Sequence, residues 1–376
     1  MDSPLFTPLQ LKGVTLRNRF VMPAMQRGQC VDGSPTAELA AYYRRRVEGG
    51  TALIIGESCA IDHPSATAQP TSAWMNRATL SGWARCVDAV REAGGEMLVQ
   101  LWHEGAMRVA PDDQTLSPSG RAHAGRVNGR AATRSELDAI RDGFVASARM
   151  AASIGACGVE VHACHGYMLD QFLWRATNDR DDGYGGDDIC ERARLPAEIV
   201  AGIRAACGEN FLISFRFSQW KEVDYTARIA ADPAELAALV GLLKSAGADM
   251  IHASTRRFWE PEWPGDPRGL AGWVRALSGL PVIAVGSVGI NTDIMSLLID
   301  GTEGEVRASQ SLAELERRMA AGEFDLVAVG RSLIGDPDWV YKVRDGRFDE
   351  IRPFRRADLG SLSWNLDIVN EAHGVR

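Results

Sequence analysis

The chain of 376 residues lacks the features expected of a membrane, disulfide-stabilised or nucleic-acid-binding protein. No apolar run approaches the roughly 18 residues that a membrane helix needs, and the N-terminal segment MDSPLFTPLQLKGV lacks the basic and apolar parts of a signal peptide. The seven cysteines are odd in number and form no CxxC motif, as is typical of a reducing compartment. Arginine and lysine (41) are outnumbered by aspartate and glutamate (49), which disfavours nucleic acid and anionic membranes as partners. We therefore expect a cytoplasmic protein that acts on small molecules.

Short apolar segments alternate with longer amphipathic segments along the chain. Segments such as LIIGE, VIAVG and LVAVG are apolar almost throughout, as expected for parallel strands buried on both faces. Strands are predicted at 18–25, 51–58, 96–103, 158–164, 211–218, 250–254, 281–286 and 326–330. Helices are predicted at 36–48, 73–93, 135–153, 191–206, 233–245, 269–278, 312–320 and 337–345. Thr133 with Glu136 resembles a capping box, and Asp232 followed by Pro233 is typical of a helix start.

Eight such units predict an α/β fold, a single (β/α)8 TIM barrel with a short N-terminal hairpin. The barrel is expected to span residues 1–350, followed by an extension of unassigned role at 351–376, where Trp364 either covers the site or packs beneath the barrel. Long loops follow strand 3 (108–134) and strand 7 (287–310). Loops after strands line the active face of a barrel, so both are candidate lids, with surface insertion as the alternative.

The ends of strands 7 and 8 suggest an anion site. They carry Gly286-Ser287 and Gly330-Arg331, at the two loops where barrels frequently bind phosphate. Glycine lets the backbone approach an anion, and an arginine can form paired hydrogen bonds to phosphate oxygens. The alternative is that these glycines only turn the chain.

The fourth predicted strand ends in HACHGY, which contains His162, His165 and Tyr167. Residues three apart on a regular strand point to opposite faces, so both histidines can meet one ligand only if the strand ends between them and turns near Gly166. Zinc would need a third and usually a fourth protein ligand, and none stands out, so we predict no metal. Two neutral donors for an oxygen anion, or a purely structural pair, are the other interpretations. A phenol beside an oxyanion site is a plausible proton donor, which favours the first of these.

Polar residues also occupy strands 3 and 5, where a core would exclude them. Gln100 lies in VQLWH, and Arg216 lies between two phenylalanines. A buried arginine is costly unless an anion or an electron-rich group faces it. The alternative is an internal ion pair with Glu57 or Glu160.

Together these segments resemble the Old Yellow Enzyme family of FMN-dependent oxidoreductases. The resemblance covers most of the chain, and its segments are LRNRFVMPAM, VQLWH, GVEVHACHGYMLDQFLWRATNDRDDGYGG, PVIAVGSVG and VAVGRSLIGDPDW, in that order. It implies that FMN lies across the barrel mouth and that NAD(P)H is the hydride donor. The cofactor-binding residues it implies are Pro23, Ala24, Met25, Gln26, Ser58, Gln100, Arg216, Gly286, Ser287, Gly330 and Arg331.

The resemblance also implies an activity: reduction of the activated C=C bond of an α,β-unsaturated carbonyl or nitro compound. Flavin N5 would deliver hydride, His162 and His165 would hold the substrate oxygen, and Tyr167 would donate the proton. Trp102 would restrict bulky substituents. A dehydrogenase or demethylase working in the oxidative direction is one alternative, and a barrel that binds a phosphorylated ligand without redox chemistry is another. Members of the family are commonly oligomeric, so the resemblance is compatible with a homo-oligomer.

Gln26 departs from the family pattern. The family usually has threonine or cysteine there, beside the flavin O4 edge, so flavin potential and substrate range are open. Relatives that attach flavin covalently use a cysteine at this position. Here the nearest cysteine is Cys30, so non-covalent FMN is expected. The choice between NADH and NADPH is also open, although arginines in loop 108–134 could reach a 2′-phosphate.

Overall fold

The computed structural model describes residues 3–123, 125–292, 296–297 and 301–362. Eight parallel strands close into a barrel, because the last strand pairs with the first (Val327 with Phe20) and the third with the fourth (Leu98 with Gly158). The barrel strands are β1 (Phe20–Met22), β2 (Leu53–Ile55), β3 (Glu96–Trp102), β4 (Gly158–His165), β5 (Leu212–Lys221), β6 (Met250–Ser254), β7 (Val282–Val285) and β8 (Leu326–Ala328). The predicted (β/α)8 barrel is confirmed.

A main helix follows each barrel strand. These helices are α1 (Ala37–Glu48), α2 (Leu80–Glu92), α3 (Arg134–Ser153), α4 (Arg194–Cys207), α5 (Pro233–Ala246), α6 (Leu270–Ser278), α7 (Ala308–Ala320) and α8 (Trp339–Arg344). The local signals behave as predicted. Thr133 and Glu136 form a reciprocal capping box at the start of α3, and the Asp232 carboxylate accepts two backbone N–H groups at the start of α5.

The largest error in a predicted helix boundary is at the start of α2. The helix expected from residue 73 begins only at Leu80. Ala73–Trp74 instead pairs with Cys59–Ala60 in a short parallel ladder beside β3. The Thr79 hydroxyl then donates to the Trp74 carbonyl at 2.6 Å, so local polar bonds hold the intervening turn.

Short strands, short helices and 3-10 turns lie outside the eight main strands and helices. The short strands are Leu9–Leu11, Val14–Leu16, Cys59–Ala60, Ala73–Trp74, Leu116–Ser117, Arg121–His123, Arg126–Val127 and Arg130–Ala131. The short helices and 3-10 turns are Pro4–Phe6, Gly105–Met107, Met168–Leu173, Ile189–Arg192, Arg331–Gly335, Phe348–Glu350 and Arg356–Gly360. Leu9–Leu11 and Val14–Leu16 form the predicted antiparallel hairpin.

The core has two layers separated by the strands. Residues facing outward from the strands pack against the helices. Inward-facing residues at the N-terminal ends of the strands, such as Leu53, Leu98 and Ile283, form a second apolar cluster with Leu11 and Leu16 of the hairpin. The hairpin therefore closes the bottom of the barrel, and the opposite end is left to carry the polar residues.

The C-terminal segment that the structure describes packs against the barrel. Ile351 joins the main core, and Phe354 packs with Ile290 and Ile334 near the barrel mouth. Trp364 lies outside the described residues. Within the described residues, no helix is both long and apolar enough to cross a bilayer.

Candidate active site

A cavity of about 460 Å³ opens at the C-terminal end of the barrel. It brings together predicted site residues from seven of the eight barrel strand ends. The predicted site residues that line it are Pro23, Ala24, Met25, Gln26, Ser58, Gln100, His162, His165, Tyr167, Arg216, Gly286, Ser287, Gly330 and Arg331. Residues separated by more than 300 positions thus share one wall, as expected for the C-terminal face of a TIM barrel.

The two histidines meet because β4 ends irregularly. The pairing of β4 with β5 shifts between Ala163 and His165, and His165 adopts a left-handed backbone with φ of 64°. The strand thus ends and turns between His162 and His165, which their three-residue spacing requires if both side chains are to meet one ligand. The imidazole rings of His162 and His165 lie 5.5 Å apart, and the Tyr167 ring lies 5.3 Å from that of His162. Two imidazoles and a phenol therefore converge on one part of the cavity.

A buried ion pair supports this turn from behind. Lys221 Nζ lies 2.7 Å from Asp170 Oδ1, and both side chains are fully buried. The other carboxylate oxygen of Asp170 accepts the backbone N–H of Gly166 at 2.6 Å. The pair links the end of β5 to the turn after β4, so it fixes where His165 and Tyr167 leave the strand.

The electrostatics keep this group of side chains neutral. Burial, followed by the charge of Arg216, lowers the pKa of His162 to about 3, and burial also lowers the pKa of His165. Burial raises the pKa of the Tyr167 phenol. At neutral pH the imidazoles are therefore uncharged hydrogen-bond donors and the phenol keeps its proton.

Arg216 has no carboxylate partner among the described residues, although it is buried, with only 7% of its surface exposed. Its guanidinium donates to the Ser254 hydroxyl at 3.3 Å, and its Nε is buried without a partner among the described residues. Neither Glu57 nor Glu160, the ion-pair partners considered from sequence, lies within ion-pair distance of it. A buried cation with so few contacts that faces a cavity indicates an electron-rich ligand there.

Glu160 is instead satisfied by three neighbours beneath the cavity. It accepts hydrogen bonds from the Gln100 amide (2.7 Å) and the Ser214 hydroxyl (2.9 Å), and its other contact is His252 Nδ1 (2.8 Å). Burial alone would raise the pKa of Glu160, but His252 and the other neighbours lower it to about 2. The network fixes Gln100, whose carbonyl also accepts from Ser58.

The ends of β7 and β8 form the opposite end of the cavity. Gly286 and Ser287 both have positive φ (143° and 50°), and a Cβ at Gly286 would lie 2.6 Å from Thr255 Oγ1. Glycine is therefore required at 286 for steric and conformational reasons. Arg331 lines the same end and donates to the Thr292 hydroxyl at 3.3 Å. Open backbone beside a guanidinium is the geometry expected of a phosphate site.

Gln26 lines the cavity but its amide nitrogen turns away to donate to the Ser72 hydroxyl at 3.2 Å. Cys30 does not reach the cavity wall. It is buried, and its thiol contacts Glu57 at 3.1 Å.

Trp102 is not on the cavity wall, contrary to its predicted substrate contact. It is 2% exposed and packs edge-on against Tyr167, with ring centroids 5.2 Å apart.

Of the two long loops predicted as candidate lids, loop 108–134 does not reach the cavity with any of its described residues: Arg108 is buried and pairs with Asp112. The loop after β7 does contribute, through Ser287, Val288 and Ile290.

Sequence reasoning missed several residues of the wall. Those at or just after the ends of β5 and β6 are Trp220, Glu222, Tyr225, Ser254, Thr255 and Arg256. The Trp220 ring lies 5.1 Å from that of His165, and Arg256 stacks on Tyr225 at 3.7 Å. Their position at the ends of barrel strands was the signal available in the sequence. Sequence reasoning also missed Cys164, which does not line the cavity but whose thiol lies between the two histidines.

Comparison with known proteins agrees with this arrangement. The profile of the NADH:flavin oxidoreductase / NADH oxidase family matches residues 4–304. The chain is 30% identical over 382 aligned positions to an NADH oxidase of Thermoanaerobacter brockii, which covers 96% of this chain and 54% of that protein. The chain thus spans about half the length of that relative.

Two further relatives match along nearly their whole length. The chain is 27% identical to 12-oxophytodienoate reductase 7 of Oryza sativa subsp. japonica, with 91% of this chain and 88% of that protein aligned. The solved structure of morphinone reductase in complex with tetrahydroNAD superposes with a TM-score of 0.78 at 25% identity, covering 95% of this chain and 94% of that one.

Proposed function

The chain belongs to the NADH:flavin oxidoreductase / NADH oxidase family, within which it resembles Old Yellow Enzyme, and on that premise we propose that it is an NAD(P)H-dependent FMN ene-reductase. Its substrate would be an α,β-unsaturated carbonyl or nitro compound. The observation that carries the proposal is Arg216, a buried guanidinium without a carboxylate partner, facing the same cavity as a neutral histidine pair and a phenol.

The residues present fit FMN. Arg216 would face the flavin edge where negative charge gathers, and Gln100, whose carbonyl has a second lone pair, would contact the pyrimidine. Gly286, Ser287, Gly330 and Arg331 would hold the phosphate. None of the cavity-lining residues described is a cysteine, which supports non-covalent attachment. When bound, FMN supplies the hydride chemistry, accepting hydride from NAD(P)H and passing it to the alkene.

The protein's own residues would orient and polarise the alkene. His162 and His165 would donate to the carbonyl or nitro oxygen and stabilise the negative charge that grows there, as in an oxyanion hole. Ser254 prepares His165 for this role. The Ser254 hydroxyl oxygen accepts a hydrogen bond from Arg216, so the hydroxyl proton is free to be donated to His165 Nε2, 2.9 Å away. Because Nε2 then accepts, the imidazole proton of His165 is on Nδ1. Tyr167 would protonate the α-carbon, because its raised pKa keeps the phenol protonated until a strongly basic carbon forms.

The first experiment is the visible spectrum of the purified protein, followed by denaturation and identification of the chromophore released. We expect one FMN per chain, released without proteolysis. A colourless protein that cannot be reconstituted with FMN would remove the proposal and favour a phosphate-ligand-binding barrel.

Tyr167→Phe tests the direction of the chemistry. We expect alkene reduction to fall by roughly 100-fold or more, the usual effect of losing a positioned proton donor. Reduction of the flavin by NAD(P)H should be unchanged, as measured anaerobically in a stopped-flow instrument. Trp102→Phe, which keeps an aromatic ring behind Tyr167, is the matched control. Unchanged alkene reduction in Tyr167→Phe would exclude Tyr167 as the proton donor.

We also propose that the protein works in the cytoplasm, where NAD(P)H is available. All seven cysteines are unpaired, which suits a reducing compartment.

A further inference from the structure

The end of β4 holds three potential metal ligands, one more than the histidine pair that the proposed function uses. The ligand atoms offered by His162, Cys164 and His165 all lie within 4.8 Å of one another. Cys164 Sγ is 3.4 Å from His162 Nε2 and 3.5 Å from His165 Nδ1. His162 and Cys164 are two residues apart and so share a face of the strand, and the left-handed turn brings His165 round to the same side.

These distances match the edges of a tetrahedral zinc site. Zinc binds thiolate sulfur at about 2.3 Å and imidazole nitrogen at about 2.0–2.1 Å, which puts the sulfur and nitrogen ligands about 3.5 Å apart in a tetrahedron. Both sulfur-to-nitrogen distances observed here are within about 0.1 Å of that value. The sequence alone gave no third ligand for the histidine pair, and Cys164 provides it.

The surroundings support metal binding as well as the distances do. The second nitrogen of His165 contacts the Ser254 hydroxyl at 2.9 Å, the kind of outer partner that orients metal-bound histidines. His162 and His165 both line the cavity, so an ion can enter from there and a fourth position remains open to it. Two features oppose the site: burial raises the pKa of the Cys164 thiol, and the nearby charge of Arg216 repels a cation; the thiolate formed on binding offsets that charge.

We propose that His162, Cys164 and His165 form a binding site for one thiophilic divalent cation such as Zn²⁺. On binding, the thiol loses its proton to solvent, the His165 proton moves from Nδ1 to Nε2, where the Ser254 hydroxyl accepts it, and the metal forms bonds to Cys164 Sγ, His162 Nε2 and His165 Nδ1; no electrons are transferred. Resting on the proposed function, a second consequence follows: the metal binds the two imidazoles that would hold the substrate oxygen, including Nδ1 of His165, so it inhibits alkene reduction competitively with the alkene.

Cadmium is the probe for the site itself, because its bond to a thiolate gives an ultraviolet charge-transfer band that does not depend on enzyme activity. Titration of the FMN-loaded protein with Cd²⁺ should give a band that saturates at one ion per chain. The band should be lost in Cys164→Ala. Cys207→Ala, at the far end of α4 and partly exposed, is the matched control and should retain it.

Zinc is the probe for the functional consequence. At a Zn²⁺ concentration that slows alkene reduction tenfold in the parent protein, Cys164→Ala should be slowed less than twofold relative to its own uninhibited rate. Cys164→Ser, which preserves the volume of the side chain, serves if the alanine variant fails to fold.

The outcomes separate the two proposals. A saturable band that requires Cys164, in a protein without alkene reductase activity, keeps the metal site and removes the proposed function. A cadmium titration without a saturable band, or one with a band that survives in both Cys164 variants, overturns the metal site and leaves the proposed function intact.

Discussion

The lower and upper halves of the barrel interior contrast sharply along the same strands. On β3 the inward-facing positions pass from Leu98 to Gln100, and on β5 they pass from Leu212 to Arg216. The lower residues pack with the N-terminal hairpin, and the upper ones surround a cavity. A displacement of two residues on β3 and four on β5, about 6.6 Å and about 13 Å along the strand, therefore separates a core position from a site position.

The comparison indicates that residues at the N-terminal ends of the strands serve mainly stability, and residues at the C-terminal ends serve mainly function. The lower layer is a cluster of mostly buried apolar side chains, so it stabilises the fold through burial. The upper layer contains buried polar atoms that the protein itself does not satisfy, including His162 Nδ1 and Arg216 Nε among the described residues. Such groups cost stability unless a ligand completes them. Substitutions in the upper layer should consequently lower activity more than stability, and substitutions in the lower layer should lower stability more than activity.

The largest effect should come from Arg216→Met in the upper layer. We expect kcat/KM for alkene reduction to fall by about 100- to 1000-fold, the range seen when one charge-stabilising donor is removed. The melting temperature should not fall, because the substitution replaces a buried, unpaired cation with an apolar side chain. Thermal unfolding of the apoprotein and steady-state kinetics measure the two quantities. Arg216→Lys retains the charge and should retain more activity than Arg216→Met. A clear loss of stability in Arg216→Met would contradict this division between the two layers.

Leu98→Ala tests the lower layer on β3. Leu98 is fully buried, so its truncation should lower the free energy of unfolding by roughly 3 kcal/mol through lost burial and the cavity left behind. Denaturant titration measures this change. The flavin spectrum and the turnover per folded, FMN-loaded molecule should stay the same. A selective loss of turnover would mean that the lower layer positions the site directly.

Gly286→Ala sharpens the contrast at the phosphate end of the upper layer. An alanine there must adopt φ of 143° with its Cβ 2.6 Å from Thr255 Oγ1, a strain of order 1–3 kcal/mol. The dissociation constant for FMN, measured by fluorescence titration, should rise about tenfold or more. Gly322→Ala is the control, since its φ is 74° but its Cβ would meet nothing within 4 Å. Equal FMN affinities in both variants would place the phosphate elsewhere.

The smallest effect should be that of pH on alkene binding. Burial lowers the pKa of His162 to about 3, so protonation of this residue in the folded state occurs well below neutral pH. The KM for the alkene at saturating NAD(P)H should vary less than about twofold between about pH 5 and about pH 9. A tenfold change centred near the ordinary histidine pKa would mean that the pair is exposed to water in the working enzyme.

Most of the fold and much of the site could be predicted because the signals are local. Continuous apolar segments locate the buried parallel strands, and Thr133 and Asp232 locate helix starts. The start of α2 could not be located in this way, because Ala73–Trp74 pairs with residues of another loop. Trp102 was placed on the cavity wall by resemblance, yet the position of Tyr167 puts it behind that wall.

The sequence by itself determined the alternation of strands and helices, the family, and which strand ends carry polar side chains. Only the tertiary structure decided how those ends combine. It showed that Arg216 has no carboxylate partner among the residues described, that His165 turns to join His162, and that Cys164 lies between them. The physical reason is that periodicity and capping depend on neighbours in the chain, whereas burial, pairing of charges and convergence of side chains depend on closure of the barrel.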